Sequence, residues 1–360
     1  MERKNYIDNL RWLAILLLFP FHAAMMFNDY GENWYIMSKP VAAISSFTWA
    51  TYSWFMPLLF VLAGISAGYA LEKRTPQQFV KERFHKLFVP LVSGILLLVP
   101  MQTYYAERFH NGYTGSYFQQ YVLYFTKKTD LTGFTGGFTP GQLWFILFLF
   151  VISLVALPIM MWYRRSSHQI DAAKIRIPML LPLFIVTLLM TGILDFGGKS
   201  VGEDFTLFLL GFFFLRSDEV IGRLEKSRWP LFIVAVLLNV SQIVIYYNIP
   251  SMSRGLGADI YQRFVAWESI LAFLGMAKRY FNFRTKATAY LAKGSFPIYV
   301  FHQSILIAVA YYVVKLCPIP AAQYFLIILI SAAGTFAAYE IFRRIPVFRF
   351  LFGMRKPEKG

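Results

Sequence analysis

Long apolar runs, each near the length of a helix that crosses a lipid bilayer, constrain the fold of this chain most strongly. A transmembrane helix needs about 20 mostly apolar residues, because the hydrocarbon core is about 30 Å thick and each residue advances the helix by about 1.5 Å. The predicted spans lie at 9–28, 46–70, 86–105, 142–163, 178–194, 204–216, 230–248, 258–277, 294–315 and 321–342. Hydrophobic residues make up 57% of the 360, and charged residues only 15%. The sequence therefore predicts an all-α fold, a polytopic bundle of about ten transmembrane helices.

The fifth and sixth spans are less regular than the others. The run at 204–216 is short, so the segment 178–216 could instead form a re-entrant pair of helices. The loops that flank this segment, 164–176 and 216–228, are both basic. Either arrangement therefore leaves the topology of the rest of the chain unchanged.

Positive charge is distributed unevenly between alternate loops. The set that includes both termini holds 26 of the 35 Lys and Arg residues, whereas the other set holds seven. This contrast is the positive-inside pattern, so we predict a multi-pass protein with both the N- and C-termini in the cytoplasm. The net charge of +16 then reflects orientation and contact with anionic membrane lipids. Nucleic acid is not expected as a partner.

The chain is predicted to form one transmembrane domain over 1–345, followed by a basic cytoplasmic tail at 346–360. Its first apolar stretch is expected to be a retained helix, because no clear signal-peptide cleavage site follows it. The outward-facing loop 106–141 is long and contains the glycine-rich stretch TGFTGGF at 132–138. Such a loop can be a lid or a substrate platform, or it can be a solvated connector with interfacial aromatic residues. The sequence leaves both interpretations open.

Arg11 and His22 are the most informative ionisable residues within the predicted spans, where such residues are costly and rare. They are eleven positions apart on the first helix, which places them about 20° from the same face and about 16 Å apart along the axis. A buried neutral imidazole can accept a proton from a hydroxyl, and a guanidinium can grip a phosphate with two hydrogen bonds. Alternatively, Arg11 is a lipid-facing anchor and His22 a packed core residue.

Four further ionisable residues within the predicted spans are candidates for function. Arg263 and Glu268 are five positions apart, which puts them about 140° apart around the helix, so each is expected to contact a different neighbour. His302 could contact the substrate or bond to a neighbouring helix. Glu340, near the inner boundary, is expected to pair with local arginines.

Other chemistries have no support in the sequence. No cluster of His, Asp and Glu has metal-ligand spacing, and no phosphate-binding glycine loop occurs. Cys317 is the single cysteine, which excludes an internal disulfide and a Cys-based metal cluster. The GISAG stretch at 64–68 has the spacing of a serine nucleophile elbow, but it lies within an apolar helix and not at a strand–helix turn.

Several segments together resemble a known family. They are YIDNLRWLAI at 6–15 leading to Phe21-His22, FMPLLFVLAG at 55–64, RFHKLFVP at 83–90, GQLWF at 141–145 and GSFPIYVFH at 294–302. This ordered set resembles the acyltransferase 3 family, bacterial membrane enzymes that O-acylate carbohydrates and other acceptors. The family hallmark is an arginine, ten residues and a histidine on the first helix, which Arg11 and His22 match. Within the family, the chain is most similar to the glucan-modifying succinyltransferase branch.

The resemblance implies a bacterial inner-membrane enzyme that transfers an acetyl or succinyl group to a hydroxyl of a carbohydrate or cell-envelope glycan. Acyl-CoA would be a co-substrate, with no permanently bound cofactor and no metal. His22 would be the general base and Arg11 would grip the donor. The residues expected to contact substrate are His302, Glu268, Arg263, Gln142, Trp144, Tyr299 and Ser295. Arg263 is the only spare intramembrane cation for a succinyl donor.

The sequence departs from the family pattern at two positions, and it leaves two other functions open. Many relatives have Ser where this chain has Ala63, and His where it has Gln142, which can form hydrogen bonds but cannot titrate. The chain could therefore be a non-catalytic membrane protein that binds a glycan or lipid. It could also be a transporter or flippase, with His22, Glu268 and Arg263 as a relay. A covalent acyl-histidine intermediate is a further alternative to direct transfer.

Overall fold

Helices account for most of the chain. The computed structural model describes residues 4–354, and within that range no β-strand forms beyond one isolated bridge between Asp195 and Ser200. The helices are α1 (Asn5–Met25), α2 (Ala42–Lys73), α3 (Pro76–Arg83), α4 (Val89–Leu97), α5 (Val99–His110), α6 (Tyr117–Thr126), α7 (Trp144–Arg165), α8 (Ile177–Leu180), α9 (Phe184–Met190), α10 (Val201–Leu210), α11 (Asp218–Lys226), α12 (Arg228–Asn248), α13 (Leu256–Tyr280), α14 (Lys286–Leu316), α15 (Pro320–Phe342) and α16 (Pro346–Leu351). The all-helical fold is confirmed.

Short irregular helical segments connect several of these helices. A π-helical segment, Phe84–Phe88, joins α3 to α4, and another, Gly211–Leu215, extends α10. Short 3₁₀ segments lie at Gly141–Leu143, Ala172–Lys174, Leu181–Leu183 and Pro250–Ser253. The first of them leads directly into α7.

Seven helical stretches within residues 4–354 are long and apolar enough to span a membrane. They are Asn5–Met25, Ala42–Lys73, Pro76–His110, Gly141–Arg165, Arg228–Asn248, Lys286–Leu316 and Pro320–Phe342. Each coincides with one of the ten predicted spans. These apolar helices, found in a chain with so little charge, indicate a multi-pass membrane protein.

The other three predicted spans are helical but differ from the seven. The apolar helical stretch Ile177–Met190 is short, and a tight turn connects it to α10, with Gly202 N donating to Ile193 O over 3.1 Å. Helix α13 is long enough to span a membrane, but it carries three charged residues within its apolar stretch, Asp259, Arg263 and Glu268. The count of ten spans and the orientation of the termini therefore stay predictions.

The chain divides into two compact units. The first contains the residues up to Ala14, Trp49–Glu82 and Phe148–Ala289, and the second contains Ile15–Thr48, Arg83–Leu147 and the residues from Tyr290 onward. Helix α1 contributes its first part to one unit and its second part to the other.

Close backbone contacts between helices stabilise the first unit. A Cβ on Gly64 of α2 would lie 1.9 Å from the carbonyl oxygen of Phe208 in α10, and one on Gly211 would lie 2.3 Å from that of Val61. Glycine at these two positions lets the two helices approach more closely than any side chain would permit.

The end of the described chain packs within the second unit. Phe352 is almost completely buried, and its ring lies 4.9 Å from that of Phe301 in α14. Part of the predicted basic tail therefore folds as α16 and the turn after it. Residues 355–360 of that tail lie outside the described residues.

Candidate active site

His22 lies in the middle of a stack of three rings in the second unit. Its ring centroid is 5.4 Å from that of Trp34, with the planes 13° apart, and 5.3 Å from that of His302, with the planes 24° apart. Helix α1 carries His22, α14 carries His302, and Trp34 lies in the segment that follows α1. The structure thus brings together two histidines that are far apart in the sequence.

The two histidines differ in what their nitrogens can do. His302 is fully buried, and its Nδ1 lies 2.5 Å from the carbonyl oxygen of Tyr299. A carbonyl can only accept, so Nδ1 carries the proton and Nε2 of the neutral ring is an acceptor. Within the described part of the chain, neither this buried Nε2 nor the buried Nδ1 of His22 has a hydrogen-bond partner. Both nitrogens therefore have an unused hydrogen-bonding capacity.

Trp34 is fixed by contacts from the long loop. Nε2 of His110 donates to the Trp34 carbonyl over 2.8 Å, and the ring of Phe134 lies 4.7 Å from the indole. The neighbouring Tyr35 donates from its hydroxyl to Thr132 O over 3.0 Å. The glycine-rich stretch 132–138 is thus packed against Trp34, a position compatible with a lid or a platform.

An ion pair with a buried carboxylate anchors the same loop. Lys127 Nζ lies 2.7 Å from Oε1 of Glu107, whose side chain is almost fully buried at the end of α5. Asn111 donates to Thr135 O over 2.7 Å. Gly136 has φ of +100°, and a Cβ there would lie 2.0 Å from the same Glu107 oxygen, so the loop needs glycine at this position.

Gln142 belongs to a buried amide network. It donates to Val300 O over 2.8 Å and accepts from Gln102 Nε2 over 2.6 Å. Gln102 also donates to Ser304 Oγ over 2.8 Å and accepts from Gln303 over 3.0 Å. The network connects α5, the entrance to α7, and α14.

The other predicted residues of this unit are Tyr299, Ser295 and Trp144. The hydroxyl of Tyr299 donates to the carbonyl of Gln142, so Tyr299 connects Gln142 to His302. Ser295 bonds back to Ala292 O over 3.2 Å within its own helix. Trp144, at the start of α7, is partly exposed and lies edge-on to Phe145.

Arg11 lies in the first unit, on the N-terminal part of α1. Its Nη2 donates to Ser66 Oγ over 2.7 Å, and its Nη1 lies 3.1 Å from Oδ1 of Asp8. About a third of its side chain is exposed, so the guanidinium is oriented but still accessible. Ser66 is three residues beyond Ala63 and supplies a hydroxyl on the next turn of the same helix.

Arg263 and Glu268 also lie in the first unit, and no hydrogen bond joins them, in keeping with their helical spacing. Arg263 Nη2 lies 3.0 Å from Oε2 of Glu203, and its Nε donates to Thr191 over 2.9 Å. Arg263 is therefore not the spare cation that the sequence indicated. The carboxylate of Glu268 is buried, with no hydrogen-bond partner for either oxygen among residues 4–354.

Sequence reasoning missed Trp34, Gln102, Asp8 and Ser66. Trp34 follows a short polar stretch and resembles any aromatic residue of a membrane interface, so its position gave no distinct signal. Ser66 is a hydroxyl within an apolar helix, which does mark a polar contact, but its partner could not be identified. No set of three or more His, Cys, Asp or Glu side chains in the described residues could hold a metal ion.

Comparison with known proteins identifies the family. The model of the acyltransferase 3 family, described as an acyltransferase domain, matches residues 4–340. Relatives include glucans biosynthesis protein C of Salmonella schwarzengrund (strain CVM19633) and of Salmonella agona (strain SL483). Each is 23% identical over 387 residues, an alignment that covers 99% of this chain and 96% of the relative. No solved structure matches. The chain therefore belongs to the acyltransferase 3 family, as its motifs indicated.

Proposed function

We propose that this protein is an inner-membrane O-acyltransferase that moves an acyl group from cytosolic acyl-CoA to a hydroxyl of a glycan. The observation that carries the proposal is the pair His22 and His302, stacked with a free buried nitrogen on each ring. Membership of the acyltransferase family supports the reaction type. The relatives' name, glucans biosynthesis protein C, supports a glucan-like acceptor.

His22 is the proposed general base. It takes the proton of the acceptor hydroxyl as the hydroxyl oxygen attacks the thioester carbonyl carbon. The resulting tetrahedral intermediate collapses, the carbon–sulfur bond breaks, and the CoA thiolate receives the proton from His22. His302, whose Nε2 is an acceptor, takes a hydrogen bond from a neighbouring hydroxyl of the glycan and so positions the one that attacks. This direct route needs no serine or cysteine nucleophile.

Arg11 is the proposed contact for the donor. Asp8 and Ser66 hold its guanidinium in a fixed orientation, and a planar fork suits a phosphate better than a point charge does. In the proposed topology both termini are cytoplasmic, so the Arg11 end of α1 faces the compartment that contains acyl-CoA. Arg11→Lys is expected to raise the KM for acyl-CoA about tenfold, because the phosphate loses one hydrogen bond of the pair. An unchanged KM in this variant would contradict the phosphate contact.

A reconstitution assay tests the whole proposal. Purified protein in liposomes is incubated with labelled acetyl-CoA or succinyl-CoA and with glucan oligosaccharides. Covalent label on the oligosaccharide is the expected result, and the two donors tell which acyl group is used. If no oligosaccharide acquires label from either donor, the proposal is wrong for these substrates.

A transporter is the second candidate function. The buried carboxylate of Glu268, with both oxygens unpartnered within the described chain, is a feature of proton and substrate relays. The same liposomes distinguish the two functions, because a transporter moves the glycan or lipid without changing its covalent structure.

A further inference from the structure

The indole nitrogen of Trp34 is the unexplained polar atom of the ring stack. Trp34 is only 6% exposed, and its Nε1 is buried with no hydrogen-bond partner in the described part of the chain. An indole N–H can only donate, and a buried one usually has an acceptor. The expected partner is therefore an acceptor oxygen that belongs to a ligand.

The indole is held rigidly beside the proposed base. Its ring lies almost parallel to that of His22, and Phe134 and Tyr35 pack against it with centroids at 4.7 and 5.2 Å. His110 fixes the backbone of the same residue. A donor held in this way needs no reorganisation when charge develops on a bound oxygen, which is what makes such a donor effective in catalysis.

The three rings of the stack have complementary hydrogen-bonding roles. Nε2 of His302 is an acceptor, and the proposed base His22 must also accept a proton from the attacking hydroxyl. The two accepting nitrogens cannot then donate to the carbonyl oxygen at the moment of attack. Trp34 is the member of the stack that donates whatever the protonation state of its neighbours.

We propose that Trp34 is a catalytic residue whose Nε1–H binds the thioester carbonyl oxygen. This inference rests on the proposed acyl transfer. As the acceptor oxygen bonds to the carbonyl carbon and its proton moves to His22, the carbonyl oxygen becomes an oxyanion, which the indole stabilises. When the carbon–sulfur bond breaks, the carbonyl re-forms, and the thiolate takes the proton from His22.

A single-atom replacement tests this role. Benzothienylalanine incorporated at position 34 keeps both rings and replaces only the N–H with sulfur, and Trp34→Phe is a second variant that keeps an aromatic ring. We expect kcat to fall about 100-fold in the benzothienyl variant, because the removed bond acts on the developing charge. The KM for acyl-CoA should stay within about threefold of the natural protein, because a bond formed mainly in the transition state contributes little to donor binding.

Controls separate this inference from the function on which it rests. Trp162 is 70% exposed on α7, and Trp162→Phe should leave kcat unchanged. A kcat within threefold of the natural value in the benzothienyl variant would overturn the role of Trp34. A lower kcat that is explained entirely by a smaller fraction of folded protein in the benzothienyl variant would overturn this role as well. Normal turnover by a His22→Ala protein would instead contradict the proposed function itself. The failure of the Trp34 role and the failure of the proposed function are therefore distinguishable.

Discussion

At the scale of single residues, Gln142 has a structural role that an amide side chain can fill. Its amide donates to Val300 and accepts from Gln102, so it performs two hydrogen-bonding tasks that need no titratable proton. The side chain is buried, and these two hydrogen bonds join it to the Val300 carbonyl and to the Gln102 amide. We infer that the residue at this position holds the start of α7 against α14.

Replacing Gln142 by Leu should destabilise the protein by about 1–3 kcal/mol, because Val300 O loses its side-chain donor and Gln102 loses an acceptor in a buried site. The measurement is the thermal unfolding midpoint in detergent, with Gln77→Leu as the control, since Gln77 is exposed on α3. Unchanged unfolding of the Gln142→Leu variant would show that the network contributes nothing to stability.

The sequence predicted the residues of the first helix better than their surroundings. Helical periodicity was enough to relate Arg11 to His22, because both lie on one continuous helix, α1. The contact of His22 with His302 and Trp34 depends on packing between distant segments, which periodicity does not specify. The same limit applies to Arg263, whose partner Glu203 lies 60 positions away.

At the scale of helices, close glycine contacts determine how α2 and α10 pack. Gly64→Ala should be strongly destabilising, because the added Cβ would lie 1.9 Å from a backbone carbonyl that cannot rotate away. We expect a loss of about 1–3 kcal/mol or more. Thermal unfolding in detergent measures it.

Gly222→Ala provides the matched control for this substitution. Gly222 is also inside a helix, α11, but a Cβ there meets nothing within 4 Å. Alanine should stabilise that helix by roughly 0.5–1 kcal/mol, because it restricts the unfolded chain more than glycine does. Equal effects of the two substitutions would contradict the packing account.

Helix identity was more predictable than helix length. All ten predicted spans are helical in whole or large part, because long apolar runs strongly favour helices in a membrane protein. The segment 178–216 departs most from a regular pair of spans. Pro178 and Pro182 lie in its first turns, and a turn with positive φ at Leu194, Gly197 and Gly198 separates α9 from α10. Local backbone geometry of this kind is not visible in an apolar run.

At the scale of the whole molecule, chemical labelling of the single cysteine tests which side of the membrane each loop faces. Cys317 is partly exposed and lies between α14 and α15, on the face that the charge pattern predicts to be outside. A membrane-impermeant maleimide should therefore label it in right-side-out vesicles. A Cys317→Ser protein with Ser167→Cys should be labelled only after the membrane is opened, because Ser167 lies in a basic loop predicted to be cytoplasmic. The opposite labelling pattern would reverse the topology.

The proposed function depends most on His22, which acts as the base for transfer of an acyl group to a hydroxyl. The most direct measurement is the rate at which label passes from acyl-CoA to a glucan oligosaccharide in liposomes that contain His22→Ala. His168→Ala is the control, since that histidine is exposed and bonds only to nearby serines. We expect a loss of at least about 100-fold with His22→Ala, within the range for a positioned acid–base group, and no change with His168→Ala. Normal transfer by a folded His22→Ala protein would contradict it.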